Sequence, residues 1–236
     1  MKQTILTLIF GWMIMLSCNK DNDIVTPVTK TCELQVDNPS GRSYSSDSVI
    51  SFACNSNYCG FIPLSTKNYW VYQDSIYADG VFTGTRMDTL RFTKTFKSLS
   101  DNLVWWESTI EVGLPSLIYS NDSAIFQVND RLFTPGIKDA KKEWGLFPGD
   151  SLKYLTSFED AAAFGRSVKV DAELSTPAGN FNGSLLFEKD ARNYRRDRIY
   201  FQPGIGVLKY TYEKAPTGTF AVKLQQVSTL VSYHIE

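Results

Sequence analysis

From residue 69 onward the chain is a succession of short runs in which apolar and polar residues alternate, parted by Asn-Asp, Asp-Gly and Pro-Gly pairs. Residues 89–96 alternate most cleanly: Leu90, Phe92 and Phe96 share one face of a strand but no single face of a helix. Residues 69–77 are dominated by β-branched and aromatic side chains, which favours a strand, and Asp79-Gly80 supplies the turn after it. Further strands are predicted over 103–110, 116–120, 124–128, 131–133, 166–174, 181–188, 196–202, 206–214 and 219–233. Strand pieces at this spacing describe an all-β fold, mainly an antiparallel meander forming a curved sheet or half-barrel.

The most informative stretch is 200–210, where two aromatic-rich runs flank Pro203-Gly204. Proline presets φ at the first central position of a type II turn and glycine takes the positive φ at the second. Gly206 then marks a bulge or a close backbone approach. Two segments break the strand pattern. Residues 137–144 are charged and fit a helical turn. Residues 157–165 carry a serine N-cap, acidic residues, three alanines and a closing glycine, which predicts one short helix. Residues 145–150 read as a loop.

The N-terminal residues form a different region. A lysine at position 2 precedes an apolar run over 4–15 that is too short to span a bilayer, the pattern of a secretory signal. Leu16-Ser17-Cys18 resembles a bacterial lipobox, which implies that residues 1–17 are a signal peptide and that Cys18 is lipidated. The polar, mostly acidic segment 19–23 is similar to the export signal of surface lipoproteins of the Bacteroidetes group. That similarity implies an outer-membrane anchor and favours the cell surface over the periplasmic face. Residues 18–48 then read as a tether and loosely ordered arm, and 49–236 as a single β-domain opening with a strand near 49–53.

The formal net charge of −1 leaves no global basic field, so nucleic acid is not an expected partner. Besides Cys18 there are three cysteines, Cys32, Cys54 and Cys59. Outside the cytoplasm one disulfide is expected, either closing the Cys54–Cys59 loop or joining Cys32 to one of them, with one thiol left over. Three sulfurs and a single histidine, His234 near the C-terminus, make a poor zinc site. No metal or other cofactor is expected.

Two further segments carry a resemblance. Phe61-Ile62-Pro63-Leu64, followed by Asn68-Tyr69-Trp70-Val71-Tyr72, is similar to an opening motif of aromatic-x-Pro-Leu and Asn-x-Trp-x-Tyr. Thr176-Pro177-Ala178-Gly179-Asn180-Phe181, followed by Pro203-Gly204-Ile205-Gly206, resembles a second pair. Both recur in uncharacterised bacterial secreted proteins and lipoproteins. The resemblance implies an antiparallel β-domain and, by looser analogy with lipoprotein carriers, a half-barrel able to cover an apolar ligand.

Candidate chemistry is sparse. A Ser-His-Asp or Cys-His arrangement is improbable with His234 alone. Glu107, Glu111, Glu159 and Asp160 are the carboxylates available to a glycoside hydrolase. Trp105-Trp106 point to opposite faces of a strand, so one of them, with Trp70 and Tyr72, is a candidate aromatic platform for a ligand; burial of both in a covered sheet is the structural alternative. Arg192, Arg195, Arg196 and Arg198 are either an anion site or a solvated turn and edge strand balanced by Asp190 and Asp197. The sequence thus favours a non-enzymatic, lipid-anchored envelope protein that binds a glycan, lipid or envelope protein. A lipid or lipoprotein carrier with an apolar cavity is the alternative, and a glycoside hydrolase the third reading.

Overall fold

The computed structural model describes residues 31–34, 50–53, 61–97, 104–121, 124–128, 142–146, 152–158 and 161–236. A small sheet pairs β1 (Thr31–Leu34) with β2 (Ile50–Ala53), so the arm expected to be loosely ordered contains a strand, with Cys32 opposite Phe52. Cys18, Cys54 and Cys59 lie outside the described residues, as do 131–133 and 137–141.

The large sheet has twelve antiparallel strands. β3 (Tyr69–Ala78), β4 (Val81–Lys97), β5 (Val104–Ser108), β6 (Leu117–Ser120), β7 (Ile125–Val128) and β8 (Lys142–Leu146) run outward from its middle to one edge. The chain resumes at the opposite edge with β9 (Lys153–Phe158) and β10 (Ala161–Lys169), then makes a separate hairpin of β11 (Leu174–Thr176) and β12 (Gly179–Phe181). β13 (Leu185–Ala191), β14 (Arg195–Gln202), β15 (Gly206–Lys214) and β16 (Lys223–His234) return to the middle, where β16 pairs with β3.

This path demands curvature. Laid flat, twelve strands at about 4.8 Å spacing span roughly 50 Å, whereas the six residues 147–152 that join β8 to β9 reach about 25 Å at most. The sheet curls until its two edges approach, without closing into a barrel. Inward side chains alternate along each strand: Leu185, Phe187, Lys189 and Ala191 on β13 are buried, as are Asp197, Ile199 and Phe201 on β14.

Local turn chemistry sits where the residues require it. Asp79 and Gly80 both have positive φ, 51° and 89°, the signature of a two-residue type I′ hairpin. At the other hairpin, Ile205 N–H donates to Gln202 O at 3.0 Å and Gly204 has φ 77°, the expected type II turn.

Several expected elements differ. The helix expected over 157–165 is instead the β9–β10 hairpin, with Phe158 opposite Ala161 and Ala163 opposite Leu155. Small residues serve close packing there, since a Cβ on Gly165 would stand 3.0 Å from Leu155 Cδ1 and 3.1 Å from Phe187 Cζ. Tertiary contact overrides the helical preference of an alanine run. Residues 142–144, expected in a helical turn, and 145–146, expected in a loop, form β8. The run over 166–174 ends as a strand at Lys169, and the run over 181–188 divides at Asn182-Gly183-Ser184, where Gly183 has φ 75°. β14 is an interior strand rather than an edge.

Candidate functional site

The opening motif and the Pro203–Gly206 part of the second motif form one interlocked unit, while Thr176–Phe181 forms the separate β11–β12 hairpin. The chain joins the sheet at Phe61, whose carbonyl accepts the Gly204 N–H at 3.0 Å and whose ring lies 5.5 Å from Phe201. Trp70 Nε1 donates to Ile205 O at 2.8 Å, and Tyr72 OH donates to Val207 O at 2.8 Å. Asn68 ties the same end together, donating from Nδ2 to Pro63 O at 2.9 Å and accepting the Glu236 N–H at 3.1 Å. Residues 61–68 therefore plug one end of the concave face, and the motif residues serve as its fastening.

The candidate aromatic platform is thereby corrected. Trp70, Tyr72 and Trp105 are fully buried, and they build the core rather than a solvent-facing surface. Burial pushes the Tyr72 phenol well above its usual range, with the Asp74 charge adding to it. Trp105 packs on Tyr119, while Trp106 keeps partial exposure and meets Phe92 edge-on at 6.4 Å. Trp105 and Trp106 do fall on opposite faces, as a strand requires.

Polar groups that alternation turns inward form a second cluster in the middle of the concave face. Arg195 makes a bidentate pair with Asp197, both contacts at 2.8 Å, and stacks 4.5 Å from the Tyr212 ring. Tyr210 OH donates to Asp197 Oδ2 at 3.2 Å and accepts from Arg195 at 3.3 Å. Lys189 stands opposite Asp197 in the β13–β14 register, with Nζ 3.5 Å from Gly113 O. Burial lowers the Lys189 pKa to about 8, opposed by the charge of Asp197. Burial, then Asp197, pushes Tyr210 well above its usual range.

The segment after β5 covers this cluster. Gly113, with φ 76°, lies so close that a Cβ would stand 2.6 Å from Ile199 Cγ1 and 2.7 Å from Tyr210 Cδ2, and Val112 and Leu114 beside it are buried. The space that an apolar ligand would need next to Ile199 and Tyr210 is filled by this segment.

The arginine cluster is split between faces. Arg195 points inward. Arg196 and Arg198 lie on the convex face, where Arg196 meets Asp190 and Glu213, and Arg198 meets Glu188 and Glu213. Arg166 extends this surface lattice to Glu188 at 3.1 Å. The expected balance by Asp190 and Asp197 is present, one on each face. Of the candidate hydrolase carboxylates, Glu107 pairs with Lys94 at 3.2 Å, Glu111 is exposed, and Glu159 and Asp160 lie outside the described residues.

A feature that residue patterning did not single out lies at the far end of the sheet. The β3–β4 tip exposes Val81 and Phe82, and the loop between β15 and β16 exposes Phe220 at 82%. Gly80 N–H donates to Leu224 O at 3.0 Å, so the tip is fastened beside the start of β16. The chain joins the sheet near Tyr69, at the opposite end of β3, about 30 Å away at 3.3 Å per residue.

No family model matches the sequence, and no curated protein does. Two solved structures are similar at low identity. One is a Bacteroides fragilis protein described as a "putative exported protein with YmcC-like fold", at 14% identity and TM-score 0.37. The other is a "putative lipoprotein" of Parabacteroides distasonis, at 12% identity and TM-score 0.34. In each case the match covers 75% of this chain and 100% of the other.

Proposed function

We propose that this chain is a lipid-anchored outer-membrane protein, held through Cys18 and facing the cell exterior, that captures a glycan or envelope protein without chemically changing it. The observation that carries this reading is the polarity of the sheet: residues 61–68, which lead into β3, lie at the plugged end, and exposed Val81, Phe82 and Phe220 stand at the other. Apolar side chains grouped on fastened loop tips are a recognition feature, because exposing them to water is unfavourable unless a partner covers them. The charges of the concave face are held by one another, Arg195 with Asp197, beneath the segment around Gly113, and take no part in this reading. The carrier alternative needs an apolar hollow, and Gly113, Val112 and Leu114 occupy the region around Ile199 and Tyr210.

The test has three parts. Cys18→Ala releases the protein from the membrane fraction, and unchanged fractionation removes the anchor from the reading. Protease added to intact cells digests the wild type; protection until the outer membrane is opened moves it to the periplasmic face. Crosslinking in cells yields an adduct that a Phe82→Ser/Phe220→Ser variant loses while staying folded, and an adduct retained by that variant excludes the distal rim.

A further inference from the structure

Between the rim and the core, the β3–β4 hairpin carries an arrangement that the binding reading leaves unused. Asp74 is 1% exposed on the concave face of β3, and its Oδ1 has no hydrogen-bond partner among the described residues. Its other oxygen, Oδ2, accepts from Arg86 Nε at 3.1 Å. The same Nε stands 2.9 Å from Asp88 Oδ2. Arg86 lies directly across the register from Asp74, and Asp88 across from Tyr72, so the two carboxylates are diagonal neighbours on one face. One N–H is therefore divided between two carboxylates, and a buried carboxylate oxygen is left without a donor. Such an oxygen is costly unless a hydrogen-bond donor reaches it.

We infer that Asp88 is an acid-operated latch: when it takes up a proton it becomes the donor that Asp74 Oδ1 lacks, and the β3–β4 hairpin tightens as pH falls. The surroundings agree. Burial raises the Asp88 pKa above its ordinary value, the neighbouring Asp74 carboxylate adds to this, and the Arg86 charge opposes it. Among the described residues, the groups facing Asp74 across the register are Arg86 on β4 and Ser228 on β16; beyond Ser228 stands Tyr210 on β15. Tyr72, next inward on β3, faces Asp88 and stays neutral far above the acid range. Ser228 Oγ accepts from Gln226 Nε2 at 2.8 Å, and its hydroxyl makes no hydrogen bond to Asp74 Oδ1. No imidazole faces the pair among them, which leaves Asp88 as the titrating donor.

The sign follows from linkage. A carboxyl whose folded pKa is raised binds more protons in the folded than in the unfolded state between the two values, so stability falls as pH rises through that window. This is opposite to the usual salt-bridged carboxylate. The hairpin ends in Val81 and Phe82, so the latch also stiffens the rim in acid; that consequence alone rests on the binding reading above.

The test is amide hydrogen exchange on the full chain in detergent, at about pH 4.5 and about pH 7, with rates corrected for intrinsic chemistry. Hairpin β13–β14 serves as the internal reference. In the wild type, protection of amides 74–88 relative to that reference rises several-fold, up to about tenfold, at the lower pH. Asp88→Asn supplies a permanent N–H donor, so its hairpin is protected equally at both values. Asp88→Ala has no donor and stays at the lower level at both. Wild-type protection that is flat or falls in acid overturns the latch, as does an Asp88→Asn variant that keeps the wild-type pH response. Loss of rim binding with an intact exchange response would overturn the binding reading and leave the latch standing.

Discussion

The indole nitrogen of Trp70 and the carbonyl of Ile205 meet at 2.8 Å across 135 positions of sequence. The contact fixes the β14–β15 turn over the first strand of the large sheet, and a glycine makes it possible. Gly206 has φ 127°, and a Cβ there would stand 3.2 Å from Trp70 Nε1. Gly206→Ala therefore adds both backbone strain and crowding, and lowers unfolding free energy by about 1–3 kcal/mol. Urea denaturation measures it; an unchanged midpoint would contradict the account.

Trp70→Phe leaves the Ile205 carbonyl without its indole donor and a gap in the core. The expected loss is about 2–4 kcal/mol. Trp106→Phe, at a partly exposed position, costs less than about 1.5 kcal/mol. Comparable losses for the two would show that the motif tryptophan is not a fastening.

Asp197→Asn removes the negative partner of half-buried Arg195 and of buried Lys189 opposite it. Breaking one member of a buried pair costs about 3–5 kcal/mol because the other charge stays desolvated. Thermal unfolding should shift down by about 10 °C for a chain of this size. Arg196→Gln, on the convex lattice, changes stability by less than about 1 kcal/mol.

Lys189 gives a signature in alkali. Its folded pKa, about 8, is below the unfolded value, so between them the unfolded chain binds more protons and stability rises with pH. From pH 8 to 10 the gain is roughly 2 kcal/mol. Above about 10 the buried phenols of Tyr72 and Tyr210 act the other way, because only the unfolded chain ionises them. Lys189→Met abolishes the rise, and a wild-type curve that is flat over this interval would be incompatible with a buried ammonium.

Much of the sheet was legible because alternation is a local property. Residues 89–96 and 206–214 announced their strands, and Asp79-Gly80 and Pro203-Gly204 announced the turns that join them. The inward cluster left a trace as well: in Leu185-Leu186-Phe187-Glu188-Lys189 the lysine falls on the apolar beat, a signal that it points inward. What alternation does not encode is which distant surface a residue meets. The alanines of 161–163 favour a helix when read alone, whereas pairing with β9, with Gly165 close against Leu155 and Phe187, makes them a strand. Trp70 and Tyr72 looked like a binding platform because nothing local reveals that residues 205–207 arrive to accept their hydrogen bonds.

β16 is the last strand in chain order, yet it lies between β3 and β15 in the middle of the sheet. A chain that emerges N-terminus first builds a six-strand part, β3 to β8, and a five-strand part, β9, β10 and β13 to β15, and among the described strands these share no ladder until residues 223–234 appear. The two parts can join only after residues 223–234 have been made, and the joining contacts, distant in sequence, are slow to form. Removing that strand would release two open sheets, each with a fresh unpaired edge, rather than a slightly shortened protein.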